Sequence, residues 1–414
     1  MTLTNWAGNV RFGAERVEAP ATVDEVRAVL AASRRVRALG SGHSFNLIAD
    51  TDGTLLSTAR LAAPPRIDAD ARTVSVGAGT RYGDLAPLLE AEGWALANLA
   101  SLPHISIAGA VATGTHGSGD GVGTLSSAVA ALEIVTPAGD VARLSRGDAD
   151  FDGAVVSLGA LGIVTEVVLD IEPTFAVSQR VYERLPLDVA LAEFDAVMGA
   201  AYSVSMFLRW TEPDVVDQVW TKARGDASPR LPGGVAEAAE QVHMLAGVSP
   251  AATTAQRGEP GPWLDRLAHF RLSHTPSNGA ELQSELLVPR AHAVEALRIL
   301  RGYADVIAPL IQVTEVRSMK ADDLWLSPAY GTDAVGIHFT WQQRQPEVEA
   351  VVATLEEALA PLGARPHWGK LTRLDREAIA AAWPRFDDFV ALAERYDPEG
   401  KLRNPFLDRV LGTA

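Results

Sequence analysis

Cysteine is absent from the 414 residues, which excludes a disulfide framework, a thiolate metal site and a cysteine nucleophile. No apolar run approaches the roughly 18 residues that a membrane-crossing helix requires, so no such helix is expected. The chain starts Met1-Thr2-Leu3-Thr4-Asn5-Trp6. No basic stretch precedes an apolar one there, so the expectation is a leaderless, cytoplasmic protein. Positive charge is in deficit. Against 52 acidic side chains stand 36 basic ones, for a net charge of −16. Such a surface repels nucleic acid and anionic membranes, so neither is an expected partner. No G-x-G-x-x-G follows a strand, and no G-x-x-x-x-G-K-[ST] occurs; H-E-x-x-H and G-x-S-x-G are missing as well. Nicotinamide binding by a Rossmann fingerprint and triphosphate binding by a P-loop therefore have no support. Nothing in the sequence requires a metal.

What is present fits a large mixed fold. A chain of this length exceeds one ordinary core, so two domains are expected, or one interrupted by another. Thr22-Val23-Asp24-Glu25 reads as a capping box, with Val23, Val26 and Leu30 at helical spacing. A strand over 36–39 runs into Gly40-Ser41-Gly42-His43-Ser44. A strand over 73–78 precedes a helix around Leu85, Leu88 and Leu89, ended by Gly93. Residues 131–136 and 141–144 form a hairpin, and 162–171 a further strand. Beyond about residue 173 the pattern alternates polar and apolar over 281–288, 311–318 and 335–342, as in half-buried strands of an antiparallel sheet. Helices are expected between them over 291–303 and 348–359, and again over 373–382 and 385–396, followed by coil from Asp397. The stretch 223–262, rich in Gly and Pro, reads as a surface excursion with one short helix.

Two glycine-rich segments carry the chemistry. The first is Ala38-Leu39-Gly40-Ser41-Gly42-His43-Ser44; the second runs from Gly109 through Thr113-Gly114-Thr115-His116 to Gly119. Glycines let backbone N–H groups approach phosphate oxygens closely. Either segment alone is a tight turn as readily as a phosphate cradle; two together suit one extended ligand with a pyrophosphate. His43 has no helix or strand face to pack against. It is either a surface loop histidine or a nucleophilic imidazole.

Four motifs in order, Gly40-Ser41-Gly42-His43-Ser44, Leu102-Pro103-His104-Ile105-Ser106-Ile107-Ala108-Gly109, Gly114-Thr115-His116-Gly117 and His367-Trp368-Gly369-Lys370, resemble the vanillyl-alcohol-oxidase type of FAD enzymes. Within it they resemble the aldonolactone and alditol oxidase branch. The match spans nearly the whole chain. It implies an α+β fold: a two-part FAD-binding domain (1–172 and 369–414) with an inserted cap (173–368) built on an antiparallel sheet flanked by helices. It implies FAD held covalently through His43, with residues 38–44 and 113–116, Ser101, Ser106, Gly109 and Val164 around it. The implied reaction is oxidation of the C1 hydroxyl of an alditol such as xylitol or sorbitol to the aldose, with O2 giving H2O2. An aldonolactone oxidase or dehydrogenase shares the motifs. A catalytically silent flavin or sugar-binding protein is the alternative of another class. A small polyol and O2 are the expected partners of a monomer.

On the substrate side, strand periodicity puts Ile311, Val313, Glu315 and Arg317 on one face. Buried charges are paired or bind something, so Glu315 and Arg317 are either a structural salt bridge or ligand-binding groups. In 335–342 the polar face is His338, Thr340 and Gln342 and the apolar face Val335, Ile337, Phe339 and Trp341. His338 is a structural histidine or a proton acceptor. Gln283, on the polar face of 281–285, is a weaker candidate of the same kind. The resemblance implies that Glu315, Arg317 and Lys370 bind the substrate; the expected mechanism has Arg317 and Lys370 stabilise charge, Glu315, Ser101, Gln283 and Thr340 hold the polyol hydroxyls, and His338 take the proton directly or through water.

Overall fold

The computed structural model describes residues 3–274 and 280–412; Met1 and Thr2, where the reading for a leader began, lie outside the described residues. Thr22 caps the helix Val23–Ala32, its side chain accepting from the Glu25 N–H at 3.2 Å. The Glu25 carboxylate closes the box one residue early, on the Ala21 N–H at 2.7 Å. The strand Val36–Leu39 then pairs in parallel with Thr54–Ser57, which pairs in parallel with Arg16–Glu18. A five-stranded antiparallel sheet follows, in the order Arg66–Asp68, Thr73–Gly77, Ile163–Asp170, Val129–Val135, Val141–Ser145. Its apolar residues, such as Val74, Leu132 and Val167, share a core with the helix Tyr82–Ala91 and with Ile379, Phe389 and Leu407 of the C-terminal helices. Leu88, grouped beforehand with Leu85 and Leu89, points to solvent instead.

The second half is organised by an eight-stranded sheet. Its order is Gly261–Pro262, Ala176–Pro186, Val215–Arg224, Ser203–Leu208, Ile311–Met319, Ala334–Gln342, Glu281–Pro289, Arg365–Pro366, antiparallel throughout. One face carries Leu286, Val316, Val335, Ile337, Phe339 and Trp341 into a core shared with the helices Ala293–Gly302 and Gln345–Leu359. The opposite face turns polar side chains into a cavity shared with the glycine-rich segments.

Four expectations change. The strands 281–289, 311–319 and 334–342 are buried on both faces, because the polar face meets the cavity and not solvent. A register shift between Ile311 and Val313 puts Ile311 in the helix-side core and leaves Val313, Glu315 and Arg317 on the cavity side. The stretch 223–262 begins at the end of one strand and closes on the edge strand Gly261–Pro262; between them it holds 3-10 turns at Pro232–Gly234 and Pro250–Ala252 in place of an α-helix, and it is no mere excursion: Met244 and Leu245 are buried against Phe207 and Trp220 and line the cavity. The coil expected after Asp397 becomes a further helix, Pro405–Leu411, capped by the Asn404 side chain on the Leu407 N–H.

Arg37 joins these parts. Its guanidinium is buried and donates to four backbone carbonyls, those of Ile48, Leu158, Gly159 and Leu402, at 2.5–3.0 Å. Burial pushes its pKa down to about 10. Arg37→Leu is expected to strand those carbonyls and lower unfolding stability by about 3 kcal/mol or more, read as a drop in the urea midpoint at pH 7. A change of less than about 1 kcal/mol would mean that water replaces the guanidinium.

Candidate active site

The strand Val36–Leu39 delivers the first glycine-rich segment to the cavity wall, and the short helix Ile107–Ala112 delivers the second. Ser41 and Ser106 tie them reciprocally: each side-chain oxygen accepts the other's backbone N–H, at 3.1 and 3.2 Å. Gly40 must lack a side chain, since a Cβ there would stand 2.3 Å from Ser106 Oγ. Gly42 adopts φ of +70°, and the N–H groups of Gly42, His43 and Ser44 make no hydrogen bond among the described residues. His43 is stacked on Trp6, with centroids 5.4 Å apart at 18°, and its Nδ1 is buried without a partner. Free donors in a bare loop beside an imidazole whose Nδ1 lacks a partner fit the phosphates and ring of FAD. Burial, aided by His104, pushes His43 down to about 4, so its imidazole is neutral near pH 7. Ala38, Leu39, Ser44, Ser101, Gly109, Thr113, Thr115, His116 and Val164 line the same cavity. Gly114 does not; it sits at φ +63° with Pro328 against it.

Opposite the loops, sheet register aligns Glu315, His338 and Glu285 in one row across three strands. Gln283 and Thr340 pair in an adjacent row. Glu285 is fully buried and is the hub of the charges. Lys370 Nζ lies 2.5 Å from Oε2; Arg317 Nη2 and His116 Nε2 lie 3.2 and 3.0 Å from Oε1. Burial raises the Glu285 carboxyl, but Lys370, His116 and Arg317 outweigh it and hold it well below the usual range. Arg317 also donates to Ser101 Oγ and the His116 carbonyl, both at 3.3 Å, and its Nε lies 3.6 Å from Glu315 Oε1. Gly336 lies beneath this cluster, where a Cβ would meet Glu285 Oε1 at 2.9 Å. Lys370 is placed by its own backbone: Asn46 Nδ2 donates to the carbonyls of Trp368 and Lys370, and the Phe45 N–H to that of Gly369.

His338 is buried with both ring nitrogens unpartnered, and burial, reinforced by Lys370, keeps it well below its ordinary pKa. Gln283 donates to Glu281 at 2.6 Å, Thr340 is buried on the cavity wall, and Gln342 is exposed. Sequence reasoning missed Glu285, although the alternation Glu281, Gln283, Glu285 marks one polar face. It also missed His367, His269 and Lys222. Their signal is a buried charge or imidazole inside an otherwise apolar strand or loop. Among the described residues no group of three or more His, Cys, Asp and Glu is arranged to hold a metal, and no helix is long and apolar enough to cross a membrane.

Comparison with known proteins places this geometry. Residues 14–145 match the family described as FAD binding domain, and residues 280–410 that described as D-arabinono-1,4-lactone oxidase. An alditol oxidase of a Streptomyces species is 48% identical over 99% of both chains. An L-gulono-1,4-lactone dehydrogenase of Mycobacterium tuberculosis is 30% identical over 99% of both. The crystal structure of cholesterol oxidase from B. sterolicum superposes with a TM-score of 0.79 at 16% identity, covering 99% of this chain and 96% of that one, which shows a shared fold. The vanillyl-alcohol-oxidase type of fold with an antiparallel cap sheet, expected from the motifs, is thus borne out.

The buried histidines set a pH dependence. His43, His243 and His269 are pushed down to about 4, mainly by burial, from an ordinary 6.5, and burial holds His338 and His367 well below it too. The unfolded chain therefore binds more protons than the folded one between pH 6.5 and 4, so stability falls as pH falls through that window. Asp322, Glu356 and Asp397, raised by burial, act in the opposite sense but in smaller number. The urea midpoint is expected to be lower at pH 5 than at pH 7. An equal or higher midpoint at pH 5 would show that these rings accept protons within the fold.

Proposed function

The chain belongs to the alditol and aldonolactone oxidase family of FAD-dependent oxidoreductases, and from that premise we propose that it oxidises alditols such as xylitol and sorbitol at the C1 hydroxyl to the aldose. O2 is the oxidant and H2O2 the second product, so that RCH2OH + O2 gives RCHO + H2O2. FAD would be held by residues 38–44, Ser106, Gly109, Thr113, Thr115, His116 and Val164 and bonded through His43, and when bound would supply the two-electron acceptor between substrate and O2. The reading includes a monomeric, cytoplasmic enzyme whose residues 1–172 and 369–414 hold the flavin and whose residues 173–368 form the cap.

The observation that carries the reading is the row Glu315, His338, Glu285, with Arg317 and Lys370 beside it, facing the glycine-rich segments across one cavity. Arg317 and Lys370 stabilise negative charge as it develops on the substrate oxygen. Lys370 Nζ donates only to Glu285 among the described residues, which leaves N–H bonds for that oxygen. His338 takes the hydroxyl proton at Nδ1 or Nε2; it is neutral and unpartnered, as a proton acceptor must be. Ser101, Gln283, Glu315 and Thr340 hold the other hydroxyls. Each buried hydroxyl left unpaired would cost about 1–3 kcal/mol, so a polyol needs this density of polar groups. The lactone alternative shares the flavin side; the 48% relative is an alditol oxidase, and the lactone dehydrogenase relative stands at 30%.

The test starts from the absorbance spectrum of purified protein before and after acid precipitation, and during anaerobic addition of xylitol to native protein. Yellow colour is expected to stay with the acid pellet and to bleach with xylitol. Colour released to the supernatant removes the His43 bond. Bound flavin bleached by L-gulono-1,4-lactone but not by polyols replaces the substrate. Arg317→Ala is expected to lower kcat for xylitol by about a hundredfold to a thousandfold; undiminished turnover of every polyol would remove Arg317 from the mechanism.

A further inference from the structure

Lys222 lies in the strand Val215–Arg224 and is 1% exposed. No carboxylate is within hydrogen-bonding distance of it among the described residues. Nζ donates instead to the Leu267 carbonyl at 2.5 Å, the Ala268 carbonyl at 3.2 Å and His269 Nδ1 at 3.0 Å. Three acceptors match the three N–H bonds of an ammonium, the form this arrangement favours although burial pushes Lys222 down to about 7. A donor at Nδ1 leaves the single proton of the neutral imidazole on Nε2, and Nε2 lies 2.7 Å from Glu315 Oε1, to which it donates. The ring is held in place: Phe207, Trp220 and Phe270 meet it edge-on, with centroids 5.7, 5.3 and 6.5 Å away. Glu315 lines the cavity, and its Oε2 makes no hydrogen bond among the described residues. An ionised carboxylate only accepts, so the group that completes Oε2 is a hydrogen-bond donor, which a polyol hydroxyl is and a carbonyl oxygen is not. Burying an ammonium is costly, and an aliphatic side chain would fill position 222 at less cost if packing were its whole role.

We propose that Lys222 and His269 are positioning residues, a hydrogen-bonded chain that holds Glu315 ionised and oriented so that Oε2 reads one particular hydroxyl of the substrate. The inference rests on the polyol reading and deepens it: the cavity selects a hydroxyl, and not a carbonyl oxygen, at that point of the ligand. Neither residue touches the substrate; both act through Glu315.

The test compares the holoenzyme with its Lys222→Met, His269→Phe and His269→Gln variants, on xylitol and on pentitols that each lack one hydroxyl. Thermal melts first establish that each variant is folded, and an unfolded one is set aside while the others are scored. Lys222→Met and His269→Phe are expected to raise KM for xylitol about tenfold to a hundredfold, with kcat changed by less than about threefold. His269→Gln, whose amide still donates to Glu315, is expected to fall between them and the unaltered enzyme. One deoxy-pentitol should be a poor substrate of the unaltered enzyme and lose that handicap in Lys222→Met and His269→Phe, while the handicaps of the others persist. An unchanged KM, a loss confined to kcat, or handicaps that all survive the substitutions would overturn the proposal. An unaltered enzyme that oxidises lactones and no polyol would defeat the polyol reading alone, and the same comparison on deoxy-lactones would then decide the role of the chain. Turnover of neither class would overturn both.

Discussion

The burial of one carboxylate constrains the rest of the site. Glu285 has no exposed side-chain surface, and an unpaired charge there is untenable at several kcal/mol. It therefore draws in Lys370 from the segment after the cap sheet, Arg317 from the strand Ile311–Met319 two positions across the sheet and His116 from the glycine-rich loop. These groups are scattered over some two-thirds of the chain, yet each must reach the same two oxygens. Removing any one leaves a buried partner uncompensated, so the ion cluster and the closure of the cavity are one structural event. The cluster also fixes the orientation of the two cations that the proposed chemistry uses. A positively charged group held by a buried carboxylate is preorganised, and preorganised charge is what stabilises a developing anion without further rearrangement.

The sheet supplies the precision. Side chains of a strand alternate, so two groups two residues apart share a face, and pairing register then sets which groups on adjacent strands stand side by side. Here the register puts Glu315 opposite His338 and His338 opposite Glu285. Two local departures make the row usable. The shift between Ile311 and Val313 returns Ile311 to the helix-side core while Val313, Glu315 and Arg317 keep the cavity face. The missing side chain at Gly336 leaves room for Glu285 and His116 to approach across the strand. A methyl group at that point would stand against Glu285 Oε1 and prise the cluster apart.

Features with a local cause were legible in the sequence. The capping box at Thr22, the glycine-rich turn around His43, the hairpin over Val129–Ser145 and the polar face of His338 and Thr340 all follow from neighbouring residues, and the structure holds each of them. What escaped depends on partners far away in the chain. Glu285 reads as one more polar residue of an alternating strand until Lys370 and Arg317 are brought to it. Lys222 and His269 read as isolated polar residues because nothing within ten positions of either announces the other. The bulge after Ile311 is a property of pairing, not of the strand itself, so simple alternation assigned Ile311 to the wrong face. The stretch 223–262 looked like loop because it has no periodicity. Its burial comes from Met244 and Leu245 reaching an apolar wall that other strands build. Helix Pro405–Leu411 was hidden for the opposite reason: it is short, and the glycine and prolines before it read as a terminus, although Asn404 and Pro405 are a cap and a first-turn residue.

Charge balance connects the cluster to the kind of ligand the cavity accepts. Glu281, Glu285 and Glu315 face the cavity from one sheet, and Arg317 and Lys370 face it with them; Lys222 stands one imidazole behind Glu315. Glu285 and Glu315 are matched by Arg317 and Lys370, while burial pushes Lys222 down to about 7, so it carries only part of a charge near pH 7. A neutral polyol enters without disturbing that balance, exchanging its hydration for hydrogen bonds to groups already ionised and fixed. A sugar acid would bring an uncompensated negative charge into a buried space, beside carboxylates held ionised by their neighbours. The same balance explains why a proton acceptor must be neutral at rest. His338, the acceptor in the proposed reaction, is kept so by burial and by Lys370, and in that proposal the new positive ring and the new negative oxygen arise together, so the enclosed charge stays constant. A charged histidine would have added a further cation and drawn the carboxylates away from the groups they orient. The low proton affinity of the ring and the ion cluster beside it are thus two consequences of one requirement, a dry site whose net charge does not change as the reaction proceeds.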